Sequence, residues 1–197
     1  MSAPARWAIA VAGSLLAGVA ISFGQTFAPD WLSSLFNSAA PVVALAAAAS
    51  LAARRLPGSI ALGAIAGPLA MVGYYGTALL RGYGVSSSLF LMWVAAGAVF
   101  GSLMGVATWA LRNKAPVVVK AAAAALWPGI VVGEAAHGLT RIADTTSVAY
   151  WWVEAALGVA VLAWLVARRV PTTRARVLAV VFTAIIAVAL FAIYGIA

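Results

Sequence analysis

Two glutamates and one histidine carry most of the chemistry that this sequence offers. Glu134, His137 and Arg141 are spaced at i, i+3 and i+7, which places all three on one face of a helix. Glu154 lies within the next apolar run. A charged side chain near the centre of a membrane costs about 2.5–3.5 kcal/mol and is therefore a functional candidate. The two glutamates and the histidine are accordingly the first candidates for a binding site.

Aromatic side chains accompany both glutamates. Trp127 precedes Glu134 by two helical turns, and Tyr150 and Trp151 stand one turn before Glu154. Because ring faces attract positive charge, this combination predicts a pocket for an organic cation, with the glutamates as counter-ions. Two alternatives are open. The rings could form an interfacial belt, and the glutamates could form structural bridges to Arg141 and Arg81.

Further polar and aromatic groups fall at a similar depth on other predicted helices. Arginines at the mouth of the pocket could receive a carboxylate or phosphate, so a zwitterionic or heteroaromatic solute would use both charges. These additional ligand-binding candidates are Gln25, Tyr74, Tyr75, Arg81 and Trp93.

Signatures of catalysis and of cofactor binding are missing from the sequence. One histidine and no cysteine make a poor transition-metal site, although Glu134, His137 and Glu154 would supply three ligands. The chain has no H-E-x-x-H, G-x-S-x-G or Walker motif. We therefore expect no enzyme, no metal and no cofactor. The remaining catalytic alternative is an intramembrane enzyme that uses the Glu/His pair as acid and base.

The composition indicates which elements must position these groups. The 197 residues are 65% hydrophobic and 8% charged, with a mean hydropathy of +1.09. Soluble domains contain about 45–50% apolar and about 25% charged residues. The net charge of +8 is spread along the chain, so nucleic acid is not an expected partner. The sequence predicts an all-α, polytopic transmembrane helix bundle in the lipid bilayer.

Seven apolar stretches are long enough to cross a bilayer, which needs about 20 residues per helix. Together they fill one transmembrane helical domain over residues 1–197. The second stretch is short and rich in alanine, so six spans are the alternative. The predicted spans are residues 6–28, 36–53, 58–80, 88–111, 116–138, 148–168 and 174–195.

Basic residues predict the orientation. With the N-terminus in the cytoplasm, ten of the twelve lysines and arginines lie inside and only Arg81 and Arg141 lie outside. The first apolar run is then a span and not a removable signal, and Tyr194 faces outward. The preference for arginine over lysine, together with the alanine-rich spans, favours a bacterial cytoplasmic membrane.

Small residues recur every four positions in two of the spans. This spacing lets helix backbones approach closely in lipid. It serves either packing within the chain or docking of a membrane partner. The two stripes are Ala10, Ser14, Gly18 and Ser22, and Gly97, Gly101 and Gly105 between Trp93 and Trp109.

The architecture resembles the substrate-binding S component of energy-coupling-factor vitamin transporters. The family's Ala-x-x-x-Ala motif on the first helix matches Ala8 and Ala12. The resemblance implies uptake of a vitamin-like solute and docking on a membrane coupling subunit that carries ATPases. The stretches 23–26 and 73–76 are also similar to those of small actinobacterial polytopic membrane proteins.

Three functions are thus open. The first is a solute-binding membrane protein for a vitamin-like or cationic aromatic compound. The second is a stand-alone proton-coupled transporter or channel in which Glu134, His137 and Glu154 titrate. The third is a non-catalytic subunit of a membrane complex, with the glycine stripe as its interface.

Overall fold

The computed structural model describes residues 1–195, in which helices are joined by short turns and loops and no β-strand occurs. The all-α prediction is therefore confirmed. Most predicted spans begin and end within a few residues of the ends of an observed helix. The helices are α1 (Ala3–Phe27), α2 (Asp30–Ser33), α3 (Ala39–Ser50), α4 (Leu56–Leu80), α5 (Ser87–Arg112), α6 (Val117–Arg141), α7 (Val148–Arg169) and α8 (Thr173–Tyr194).

Six of these helices are long and apolar enough to cross a membrane. The second predicted span, residues 36–53, is broken. A 3-10 turn over Ser34–Asn37 follows α2, and the chain then bends by 54° into α3. With 12 residues, α3 is about 18 Å long and cannot cross a core of about 30 Å alone. The chain is thus a multi-pass membrane protein with six spans, or seven if the bent pair crosses once.

Helix ends follow local capping chemistry. The hydroxyl of Ser2 accepts from the Ala5 amide at the start of α1, and Thr172 caps α8 through the Ala175 amide in the same way. Gly82, which follows α4, has a φ of +83°, a conformation that glycine adopts without steric cost.

The chain divides into two compact units. Unit 1 comprises Met1–Ala28 and Pro41–Trp109, and unit 2 comprises Pro29–Ala40 and the residues from Ala110 onward. The single domain expected over residues 1–197 stays a prediction. Each unit is described on its own.

In unit 1 the glycine stripe of α5 packs against glycines of α4. A Cβ atom added to Gly101 would lie 2.1 Å from the carbonyl oxygen of Gly63, and one added to Gly67 would lie 2.7 Å from Cα of Gly97. Such backbone contact is what small residues permit between helices in lipid. This stripe is therefore an intrachain packing face.

The stripe of α1 also packs within unit 1. Ser14, Gly18 and Ser22 are buried, and a Cβ atom on Gly18 would lie 1.9 Å from the Ala70 carbonyl oxygen of α4. Both small-residue stripes thus face α4.

Serine hydroxyls join α3, α4 and α5 inside unit 1. The Ser50 hydroxyl lies 2.7 Å from the Ala46 carbonyl oxygen and 3.0 Å from the Ser59 carbonyl oxygen, and the Ser59 hydroxyl lies 3.0 Å from the Gly105 carbonyl oxygen. Both serines are fully buried. In an apolar interior such side chains must find a partner, and these carbonyls supply it.

In unit 2, α6 packs against both α7 and α8. Gly133 makes room for α8, because a Cβ atom there would lie 2.6 Å from the Ala187 carbonyl oxygen. Gly138 makes room for Trp151 of α7, whose ring atoms would lie 2.1 Å from an added Cβ. These close approaches bring the polar residues of α6, α7 and α8 together at one end of unit 2.

Candidate functional site

Glu134 of α6 and Glu154 of α7 meet in unit 2 through a third side chain, Ser38. Each glutamate is only 4% exposed. The Ser38 hydroxyl oxygen lies 2.8 Å from Oε2 of Glu134 and 2.9 Å from Oε1 of Glu154. We call Glu134 and Glu154 the carboxyl pair and Ser38 its bridge.

Glu134 is surrounded by hydrogen-bond donors. The backbone amides of Ala39 and Ala40 donate to its two oxygens at 2.8 and 3.0 Å, and the Tyr194 hydroxyl donates to Oε1 at 3.0 Å. The two amides are the first of α3. A helix N-terminus stabilises negative charge through its free N–H groups and its dipole. The surroundings of Glu134 are those of an ionised carboxylate.

Glu154 has fewer partners. Besides Ser38, its Oε1 atom accepts from the Tyr150 hydroxyl at 3.2 Å, one turn back on α7. Its second oxygen, Oε2, is buried without a hydrogen-bond partner. The two glutamates therefore differ sharply in their environment, although one hydroxyl links them.

The Ser38 hydroxyl has one hydrogen but two short contacts with carboxyl oxygens. A serine hydroxyl carries one hydrogen and can donate to only one of the two carboxyls. The same oxygen accepts from the Ala40 amide at 3.2 Å. For both short contacts of Ser38 to be hydrogen bonds, one more proton has to lie on the carboxyl pair.

The tryptophans predicted around the glutamates are fixed by hydrogen bonds of their own. The indole N–H of Trp127 donates to the Ala40 carbonyl at 3.2 Å, and that of Trp151 donates to the Thr146 hydroxyl at 2.8 Å. Trp151 also meets the Tyr150 ring edge-on, with a centroid distance of 4.8 Å. The predicted flanking of Glu154 by Tyr150 is present as a direct contact.

The shared face predicted for Glu134, His137 and Arg141 is turned toward α8. The His137 ring lies 5.1 Å from the Tyr194 ring, and the Arg141 guanidinium carbon lies 5.6 Å from the centre of the Phe191 ring. Nδ1 of His137 is buried and without a hydrogen-bond partner. Over residues 1–195 no three histidine, aspartate or glutamate side chains are grouped so as to hold a metal ion.

The remaining candidates belong to unit 1. The Tyr74 hydroxyl donates to the Gln25 side chain, and the Tyr75 ring lies 5.4 Å from that of Phe90. Trp93 is half-buried on α5. That these side chains share one pocket with the glutamates stays a prediction.

Arg81 is held at the end of α1. It donates to the Ser22 carbonyl at 2.8 Å, and its guanidinium lies over the rings of Phe23, Phe27 and Tyr83. A cation at the C-terminal turns of a helix stabilises the exposed carbonyls there.

Sequence reasoning missed Ser38, Tyr194 and the two amides of α3. A signal for Ser38 was present, because a serine directly before an apolar run that contains Pro41 in its first turn is typical of a helix N-cap. No local signal marked Tyr194, whose contact with Glu134 spans 60 residues.

No curated protein and no solved structure matches the chain. A family model described as a family of unknown function, DUF6518, matches residues 1–197. The chain therefore belongs to the DUF6518 family.

Proposed function

We propose that this protein is a proton-coupled membrane transporter in which Glu134 and Glu154 bind and release the coupling proton. The observation that carries the proposal is the bridge of Ser38, whose single hydrogen serves two buried carboxyls. A protonated Glu154 supplies the missing hydrogen. Its O–H group donates a hydrogen bond to the Ser38 oxygen, and the Ser38 hydroxyl donates a hydrogen bond to Glu134.

The unequal surroundings of the two carboxyls support this assignment. Four donors converge on Glu134, including two amides of α3, whereas Glu154 leaves Oε2 without a partner. A proton shared by two close carboxyls belongs to the pair, so its loss changes the charge of the pair as a whole. Loss of the shared proton leaves two negative charges in a buried site, which favours a change of conformation or the entry of a cation.

The position of the pair fits a site loaded from one side of the membrane. In the predicted orientation the C-terminal ends of α6 and α8 face outward. Glu134 lies near this end of α6, and Tyr194, which donates to it, lies at this end of α8. The bacterial cytoplasmic membrane is the location that we propose for the chain.

The test uses two charge-neutralised variants. Purified protein is reconstituted in liposomes that enclose a pH-sensitive dye, a panel of organic ammonium compounds is added one at a time, and solute-dependent proton flux is recorded for wild type, Glu154→Gln and Asp144→Asn. Asp144 is an exposed acidic residue of the loop between α6 and α7 and serves as the matched control. We expect Glu154→Gln to abolish flux and Asp144→Asn to retain it.

Infrared difference spectra recorded from acidic to alkaline pH provide a second readout, independent of any solute. Wild type should show a protonated carboxyl band that disappears on titration and is absent in Glu154→Gln. Persistence of this band in Glu154→Gln would overturn the assignment of the proton.

A second candidate function is binding of a cationic or vitamin-like solute, as in an S component. The buried, unpartnered Oε2 of Glu154 favours it, since an ammonium group would satisfy that oxygen beside the ring of Tyr150. Binding of a panel of organic ammonium compounds, lost in Glu154→Gln while the protein stays folded, would support this function. Purification from native membranes with two ATPases and a coupling subunit would point to the same conclusion.

A further inference from the structure

The end of unit 2 opposite to the carboxyl pair is strongly basic. α7 ends with Arg168 and Arg169, and α8 begins with Arg174 and Arg176 in its first turn. No acidic residue follows Glu154 in the sequence. The end of α7 and the start of α8 therefore contain no acidic residue that could balance these arginines.

A shallow cavity of about 360 Å³ lies at this end, lined by Trp164, Arg168 and Arg169. Trp164 precedes Arg168 by one helical turn, so the two side chains share a face of α7. Both arginines are exposed, and Trp164 is 55% exposed. Arginine binds phosphate oxygens through paired N–H groups, and tryptophan is enriched at the depth of lipid headgroups.

The backbone beside the cavity is held in place. Arg176 donates through Nε to the Val170 carbonyl at 3.2 Å, and Val170 is only 2% exposed. The hydroxyl of Thr172 caps α8. Arg176 thus holds the connection between α7 and α8 in place. Arg168 and Arg169, which line the cavity, lie in the last turn of α7 directly before this connection.

An apolar strip leads along α7 to the same place. Val153, Leu157 and Trp164 are spaced at i, i+4 and i+11 and are each at least half exposed. This spacing keeps them on one side of the helix. A lipid acyl chain along this strip would bring its headgroup to the cavity.

We propose that Trp164, Arg168 and Arg169 form a binding site for the headgroup of an anionic phospholipid. The phosphate accepts hydrogen bonds from both arginines, and the acyl chains lie along the exposed face of α7. This site is separate from the carboxyl pair, so it stands or falls independently of the proposed transport function.

The experiment compares two pairs of consecutive arginines. Arg54 and Arg55, between α3 and α4, are also exposed but do not line this cavity. The full chain, R168Q/R169Q and R54Q/R55Q are purified in mild detergent and titrated with phosphatidylglycerol or with phosphatidylcholine of the same acyl chains. Bound lipid is counted by native mass spectrometry, and thermal unfolding confirms that each variant is folded.

We expect wild type and R54Q/R55Q to prefer phosphatidylglycerol, and R168Q/R169Q to bind it about tenfold more weakly or worse. An equal loss in both variants would reduce the effect to general surface charge and overturn the site. Equal binding of the two lipids by wild type would do the same. Inorganic phosphate that binds alone with the same dependence on Arg168 and Arg169 would show a soluble phosphate site in place of a lipid site.

Discussion

Ser38 performs two tasks at the scale of single residues. Its hydroxyl bridges Glu134 and Glu154, and it also accepts from the Ala40 amide in the first turn of α3. Removing this one oxygen therefore takes one of two acceptors from the Ala40 amide and breaks the hydrogen-bonded link between the two carboxyls. Ser38 offers a sharper test of the carboxyl pair than either glutamate, because its substitution leaves both carboxyl groups in place.

We expect Ser38→Ala to lower the free energy of unfolding by about 1–3 kcal/mol, since a cap and a hydrogen bond to a charged group are lost. Ser34 offers a matched control in the same segment: it is also buried, yet its hydroxyl has no partner. Ser34→Ala should therefore change stability by much less. Unfolding in mixed detergent micelles measures both, and equal losses would contradict the bridging role.

The two tyrosines of the cluster test which carboxyl is charged. Tyr194 donates to Glu134 at 3.0 Å and Tyr150 donates to Glu154 at 3.2 Å. Hydrogen bonds to charged groups contribute about 1.5–3 kcal/mol, against about 0.5–1.5 kcal/mol for neutral pairs. If Glu134 is the ionised member, Tyr194→Phe should destabilise the protein more than Tyr150→Phe. The reverse order in the same unfolding assay would place the charge on Glu154.

At the scale of elements, α3 is the unusual member. Its 12 residues are too few to cross a bilayer alone, and its first two amides bind a glutamate of α6. Half-helices that begin inside a membrane can direct their N-terminal dipole at a negative group there. In this chain the group is Glu134, and any event that neutralises Glu134 also weakens the hold on α3.

Close packing between α4 and α5 gives an element-scale prediction. Gly63→Ala should cost at least about 1–3 kcal/mol, because the new Cβ atom meets the Gly101 carbonyl oxygen at 2.1 Å. Gly76→Ala on the same helix meets nothing within 4 Å and should be neutral or stabilising by up to about 1 kcal/mol. Thermal unfolding of the two variants checks the difference, and similar behaviour of both would contradict the packing of α4 against α5.

The long helices could be predicted from the sequence because each needs only a continuous apolar run and a local end signal. Glu134, Glu154 and Tyr150 could be singled out for a related reason: a carboxylate in an apolar run is conspicuous, and a neighbour one turn away must share its face. The break before α3 and the arrival of Ser38 and Tyr194 depend on contacts between distant segments. Helical periodicity contains no information about such contacts.

At the scale of the whole molecule, the number of spans determines which residues face the same side of the membrane. If the bent pair of α2 and α3 crosses, five crossings separate Ala3 from Asp144, and these residues lie on opposite sides. If the pair does not cross, four crossings separate them and they lie on the same side. The twelve basic residues divide ten to two across the membrane with seven spans and nine to three with six, so the charge bias favours seven spans only slightly.

Single cysteines distinguish the two cases directly, because the chain contains no cysteine of its own. In intact cells we expect a membrane-impermeant maleimide to label Asp144→Cys, while Ala3→Cys is labelled only after lysis. Ala124→Cys, at a fully buried position, serves as the unlabelled control. Labelling of Ala3→Cys and Asp144→Cys from the same side would leave six spans. Such labelling would also contradict the parallel packing of α1 and α4, in which Trp7 lies beside Gly58 near the two helix starts and Arg81 donates to the Ser22 carbonyl near the two helix ends.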